Sequence, residues 1–176
     1  GLERRMKAIV IIEDKQEELF VAIAAVKEKL GIVGVEGLGI GVDDVVTFKM
    51  GFELVEGNSL FFAHDLTTAE NAIKFAQDKM RAGFVKEIYI LTDLMFPLKK
   101  GGAEQANGVS VILDAVEAGI PVTVCSDTDH HEVRFLPKLC RTLENSNPDA
   151  KINLVLDRKD WKKAVDLLLP STQSLA

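Results

Sequence analysis

The residues with chemical potential stand at the ends of apolar runs. Ile88-Tyr89-Ile90-Leu91 is a short continuous apolar stretch that closes on Thr92-Asp93, and Lys7-Ala8-Ile9-Val10-Ile11-Ile12 closes in the same way on Glu13-Asp14. Ile120-Pro121-Val122-Thr123-Val124-Cys125 stops at Ser126-Asp127, and Ile152 to Leu156 is followed by Asp157-Arg158-Lys159. Runs of this kind are the mark of parallel strands buried on both faces. In an open α/β sheet the crevice beyond the carboxyl ends of the strands is where ligands bind. Glu13, Asp14, Asp93, Ser126 and Lys159 would then converge on one crevice suited to a small ion or a charged group. The plainer fate of a strand-end Asp is to cap or turn the chain.

The elements that position this set alternate regularly. A helix is expected from about Lys15 to Leu30, with Asp14 as its cap and Glu17 completing a box-like pattern; Leu19, Phe20, Ile23, Val26 and Leu30 form its apolar face, and Gly31 ends it. Thr67-Thr68-Ala69-Glu70 reads as a capping box for a helix to about Ala82, with Ala69, Ala72, Ile73, Ala76 and Met80 on one side. Further helices are expected from Val109 to Ala118, from His131 to Leu143 and from Asp160 to Leu169. Strands alternating with helices five times require parallel strands with crossovers, a doubly wound, flavodoxin-like three-layer α/β fold with strand order 2-1-3-4-5.

One segment breaks the rhythm. Gly31 to Gly41 is too rich in glycine for a helix, and Val46, Phe48, Met50, Phe52 and Leu54 then alternate with Thr47, Lys49, Gly51 and Glu53, the period of a strand with one wet face. Glu56-Gly57-Asn58 turns into the strand Ser59 to Ala63, so the insertion at about 32–58 is expected to add a hairpin to the sheet or an edge that meets a second copy of the protein. A polar, glycine-rich loop from Leu98 to Gly108 carries Lys99-Lys100 and is expected to cover or rebuild the pocket.

Composition bounds the function. With 47% hydrophobic and 27% charged residues the chain is globular rather than disordered, and its 176 residues suit a single domain, residues 7–169, between an N-terminus of residues 1–6 that is expected to be disordered or tag-derived and a tail from 170. A net charge of −6 argues against nucleic-acid partners, which need clustered Lys and Arg. Cys125 and Cys140 are too few for a disulfide framework and lack metal-ligand spacing. No apolar run spans a bilayer and no apolar leader core is visible, so a cytoplasmic setting without membrane partners is expected. His130-His131 lack a spaced partner motif and are expected to be exposed polar residues before a helix; His64 reads as structural and Trp161 as core.

With those residues in view, residues 7–30 and 59–169 resemble the receiver domain of two-component response regulators, in a divergent form. Asp93-Leu94-Met95-Phe96-Pro97 matches the family's Asp-x-x-x-Pro turn. The resemblance implies that Glu13, Asp14, Asp93 and the backbone carbonyl of Met95 hold Mg2+, and that Asp93 accepts a phosphoryl group from the phosphohistidine of a histidine kinase or phosphotransfer protein. It further implies Ser126 as the switch hydroxyl and Lys159 as the phosphate contact. A hard cation takes oxygen ligands, and in-line transfer to a carboxylate needs the phosphoryl charge neutralised, so these residue types suit the task. Two positions depart from the pattern: Asp127 stands where the family has a small residue, and Asp160 where it has Pro. The alternative is a receiver-like interaction module that has given up phosphotransfer and binds a protein partner or itself. A metal-dependent hydrolase would need a separate nucleophile and base, which the sequence does not offer.

Overall fold

The computed structural model describes residues 6–32 and 51–171. The chain runs β1 (Lys7–Ile12), α1 (Gln16–Lys29), β2 (Gly51–Val55), β3 (Asn58–Ala63), α2 (Leu66–Arg81), β4 (Glu87–Thr92), β5 (Phe96–Pro97), β6 (Glu104–Gln105), α3 (Gly108–Ala118), β7 (Val122–Cys125), α4 (Phe135–Ser146), β8 (Ile152–Val155) and α5 (Trp161–Leu168). Among the described residues, six strands make the central sheet in the order β2-β3-β1-β4-β7-β8, and β5 and β6 pair separately. Every pairing in the central sheet is parallel except β2 with β3. Among the described residues, five helices cover a mostly parallel sheet, an α/β architecture compatible with a flavodoxin-like fold.

The continuous apolar runs explain the layering. Because side chains alternate across a strand, β1 sends Ile9 and Ile11 to one face and Ala8, Val10 and Ile12 to the other. The first face is sealed by α1 through Leu19, Ala22, Ile23 and Val26 and by α5 through Trp161, Ala164, Val165 and Leu168. The second is sealed by α2 through Ala69, Ala72, Ile73 and Ala76 and by α3 through Val111 and Ala115. A third cluster, with Leu94, Ile112, Val124, Leu136 and Cys140, seats α4. Met80, expected on the inner face of α2, is instead exposed.

The sixth strand is the visible end of the insertion. Glu56 (φ 49°) and Gly57 (φ 86°) make the two-residue connection between β2 and β3, both in the positive-φ conformation whose twist matches a hairpin. The Phe52 ring packs at a 52° tilt against its cross-strand partner Phe61, and Lys27 of α1 pairs with Glu53 at 2.9 Å with both side chains buried, which anchors this edge. The rest of the expected alternating strand, residues 46–50, the glycine-rich run from 33, the N-terminal residues 1–5 and the tail from 172 lie outside the described residues.

Several helix starts differ from expectation. Asp14 does not cap α1: its N-cap is Lys15, without a side-chain bond, so the Asp14 carboxylate stays available to the crevice. The box opening α2 begins two residues earlier than expected, with Asp65 accepting from Thr68 N at 2.7 Å and Thr68 Oγ1 accepting from Asp65 N. The α4 helix begins at Phe135 rather than His131, because Asp129 and Asp157 hold residues 130 and 131 in a turn. Among the described residues, no helix is long and apolar enough to cross a membrane.

Candidate metal centre

Register brings the acids together. Ile12 of β1 pairs with Thr92 of β4, so Glu13 and Asp93, the next residues in each, leave the sheet side by side. Their backbones are fixed as they leave: Asp93 N donates to the Ile12 carbonyl and Glu13 N to the Ala63 carbonyl, both at 2.9 Å. Lys159 enters from the turn between β8 and α5. Its Nζ donates to Glu13 Oε1 at 2.6 Å and lies 3.2 Å from Asp93 Oδ2, with all three side chains buried. Leu94 N donates to Asp93 Oδ1 at 2.7 Å, so the turn after β4 holds one oxygen and leaves the other to the lysine. One carboxylate oxygen each from Glu13, Asp14 and Asp93 lies within 4.8 Å of the others.

Charge in this crevice is unbalanced. Burial, then the hydrogen bond and charge of Asp93, push the Glu13 carboxyl up to about 9, against the opposing pull of Lys159. Burial, then the carboxyl of Glu104, push Asp14 up to about 6. Burial alone would lower the Lys159 ammonium; the Asp93 charge and the bond to Glu13 outweigh it and hold the group above its ordinary value. Three acids against one ammonium leave an excess that bound protons or a cation must neutralise. Glu13 Oε2 and Asp14 Oδ1 are buried with no hydrogen-bond partner, which is costly unless a further ligand takes them. An all-oxygen donor set with free carboxylate lone pairs fits a hard divalent cation such as Mg2+. Glu13, Asp14 and Asp93 are the side chains that would hold it. Met95 lies two residues past Asp93, its side chain set against the cluster around Leu94.

The remaining site residues divide. Ser126 sits at the end of β7 and is buried, but its hydroxyl bonds Thr128 Oγ1 at 2.9 Å and accepts from Thr128 N at 3.2 Å, turned onto its own loop rather than onto the acids. Asp127 is exposed. Asp160 caps α5 by accepting from Lys163 N at 3.0 Å, a role that keeps the helix start next to Lys159 without a proline. Asp129, His130 and His131 also bring ligand atoms within 4.8 Å, but all three are exposed, and His130 Nδ1 is taken by Asp157 at 2.8 Å. His64 is structural: its Nδ1 lies 3.3 Å from the helix-capping Asp65.

The long loop rebuilds the crevice with an acid rather than with lysines. Lys99 and Lys100 are exposed, and the Lys100 backbone N–H donates to Asp65 Oδ2 at 3.1 Å, docking the loop on the start of α2. Glu104, on β6, reaches Asp14 instead. Neither Glu104 nor Thr128 carries a sequence signal: the first lies in a polar loop and the second two residues beyond a strand end. Gly108, by contrast, is explained by close packing, since a Cβ there would lie 2.7 Å from the Asp93 carbonyl and 2.8 Å from Leu94 Cα.

The fold and crevice define an α/β protein with an acidic centre at the carboxyl edge of its sheet. In comparisons with models of known families, with curated proteins and with solved structures, the chain matches none.

Proposed function

We propose that this chain is a receiver-like module of flavodoxin-like topology that accepts a phosphoryl group on Asp93 with Mg2+ and signals through protein contacts. The observation that carries this reading is Lys159 held between Glu13 and Asp93 while Glu13 Oε2 lies buried and unpartnered. The donor is a phosphohistidine of a histidine kinase or phosphotransfer protein. Asp93 forms the new O–P bond as the N–P bond breaks, and the leaving imidazole takes its proton from solvent. Lys159 would stay charged and accompany the phosphoryl oxygens, while the buried Glu13 and the half-buried Asp14 would hold the cation side of the crevice. Bound Mg2+ would supply the charge neutralisation that in-line transfer between oxyanions needs. Ser126 would exchange its bond with Thr128 for one to the phosphoryl group, drawing the loop after β7 inward and giving a partner a changed surface. A cytoplasmic setting suits this chemistry.

The engaged Ser126 hydroxyl supports a second reading, a degenerate interaction module without phosphotransfer that binds a partner or forms a homodimer through its β2 edge. Backbone NMR during titration with Mg2+ and then beryllium fluoride, a phosphoryl mimic, separates the two. Saturable shifts around Asp93, Ser126 and Lys159 that vanish in Asp93→Ala are expected. Spectra indifferent to both additions would leave the interaction module.

A further inference from the structure

The loop after β7 carries a second group of ligand-type side chains, built from residues that the acid crevice does not use. Asp129, His130 and His131 are exposed, and one carboxylate oxygen or ring nitrogen from each lies within 4.8 Å of the others. Two strand ends fix their backbone. Asp129 Oδ1 accepts from His131 N at 2.7 Å, closing a tight turn, while Asp157, beyond β8, accepts from His130 N at 2.8 Å. The Asp157 N–H in turn donates to the Thr128 carbonyl at 3.1 Å, so the two loops hold each other.

The orientation of His130 sets this group apart from ordinary exposed polar residues. Its Nδ1 faces both Asp157 carboxylate oxygens, at 2.8 and 2.9 Å. A carboxylate on one ring nitrogen keeps the proton there and leaves Nε2 with its lone pair, more basic than before; metal-bound histidines are commonly held in this way. The His131 ring lies alongside, its centroid 3.9 Å from that of His130 at a 40° tilt. Two imidazoles and a carboxylate suit a transition-metal dication, whereas Mg2+ takes oxygen ligands. Cys125 and Cys140, the softer ligands of the chain, are buried. We propose that Asp129, His130 and His131 form a surface site for a transition-metal dication of the Zn2+ class, with Asp157 as the positioning residue that orients His130. Three protein ligands leave the fourth corner of a tetrahedral ion to water, which the exposure of this turn permits. An occupied site would pin the loop that carries Ser126 and Thr128 to the end of β8. The proposal does not rest on the cation reading of Glu13, Asp14 and Asp93.

Long-range 1H–15N NMR of the histidine side chains tests it, with Zn2+ titrated into the full chain in excess Mg2+. The chain has three histidines, and His64, engaged with Asp65, serves as the internal control. The first equivalent of Zn2+ is expected to shift the ring nitrogens of His130 and His131, to saturate, and to leave His64 in place; Mg2+ alone should move none of them. His131→Ala and Asp129→Asn, both at exposed positions, should abolish the saturable shift of His130. Asp157→Asn keeps a residue that accepts the positive φ of 77° at this position and should weaken Zn2+ binding about ten-fold, the scale on which groups supporting metal ligands act. Ring nitrogens of His130 and His131 that stay unmoved through several equivalents would overturn the site, as would shifts that climb without saturating or that persist unchanged in His131→Ala. Native-strength binding in Asp157→Asn would overturn the positioning role of Asp157. Because the readout belongs to named histidines, Zn2+ entering the acid crevice shifts Asp93 instead and counts against the proposal when His130 and His131 stay unmoved.

Discussion

Asp14 shows how one residue's duty changes with its surroundings. Its sequence position, one residue ahead of a helix, suits a cap, yet α1 starts without it and the carboxyl turns to the crevice. There its pKa rises from the ordinary 3.8 to about 6 through burial and Glu104. A carboxyl whose pKa is higher folded than unfolded contributes stability that is complete below the unfolded value and is lost as pH rises through the folded one. Cation-free protein should therefore lose stability between about pH 4 and pH 6, and Asp14→Asn should flatten that part of the profile by about 1–2 kcal/mol, a figure reduced for the group's partial exposure. Urea unfolding at pH 4, 5, 6 and 7 checks it; parallel profiles for the two proteins would contradict the assignment. Saturating divalent cation should reverse the slope, since the metal competes with protons for the same oxygens. Glu13, Asp93 and Lys159 were identifiable from sequence because each follows an apolar run within two or three residues. Glu104 was not, because its place beside Asp14 depends on a hairpin that only the folded loop defines.

At the scale of elements, the turn between β4 and α3 decides the geometry of Asp93. Gly108 opens α3 with its Cα facing the Asp93 carbonyl, and a methyl group there would press on backbone rather than on a side chain that can move. Alanine is favoured over glycine in helices by about 1 kcal/mol, whereas forcing an extra carbon into a closed contact costs about 1–3 kcal/mol and displaces the backbone. Overpacking wins in this comparison, so Gly108→Ala is expected to be less stable than native, with NMR shifts concentrated at Asp93 and Leu94. A more stable variant would show that the turn can yield. Existence and order of the long elements were legible from apolar runs and helical spacing. Their starts were less so: capping of α1, α2 and α4 depends on which of several neighbouring Asp and Thr side chains is free, and at His130 the competing bond comes from Asp157 at the end of a different strand.

The whole molecule is organised by a sheet whose central strands serve two cores at once. β1 and β4 place alternate residues in the α1–α5 layer and the α2–α3 layer, so neither layer can open without exposing the back of the other. The described residues are expected to unfold in one transition. Fluorescence of Trp161, the single tryptophan, and far-ultraviolet circular dichroism should give the same urea midpoint. Trp161 reports one layer, buried and bonded through Nε1 to Glu18 at 2.6 Å, while dichroism reports all the helices. Midpoints that separate would show that the layers unfold independently.

By itself the sequence determined the alternation of strands and helices, the acids and the lysine at strand ends, and the hairpin turn at Glu56-Gly57. These are local properties: burial on both faces demands unbroken apolar runs, and a tight turn demands residues that accept positive φ. Tertiary structure decided what lies between side chains distant in sequence. It set Lys159 against Glu13 across 146 positions, turned Ser126 toward Thr128, and brought Glu104 to Asp14. Contacts of that kind follow from strand register and from how a loop packs, and neither has a period or a motif along the chain.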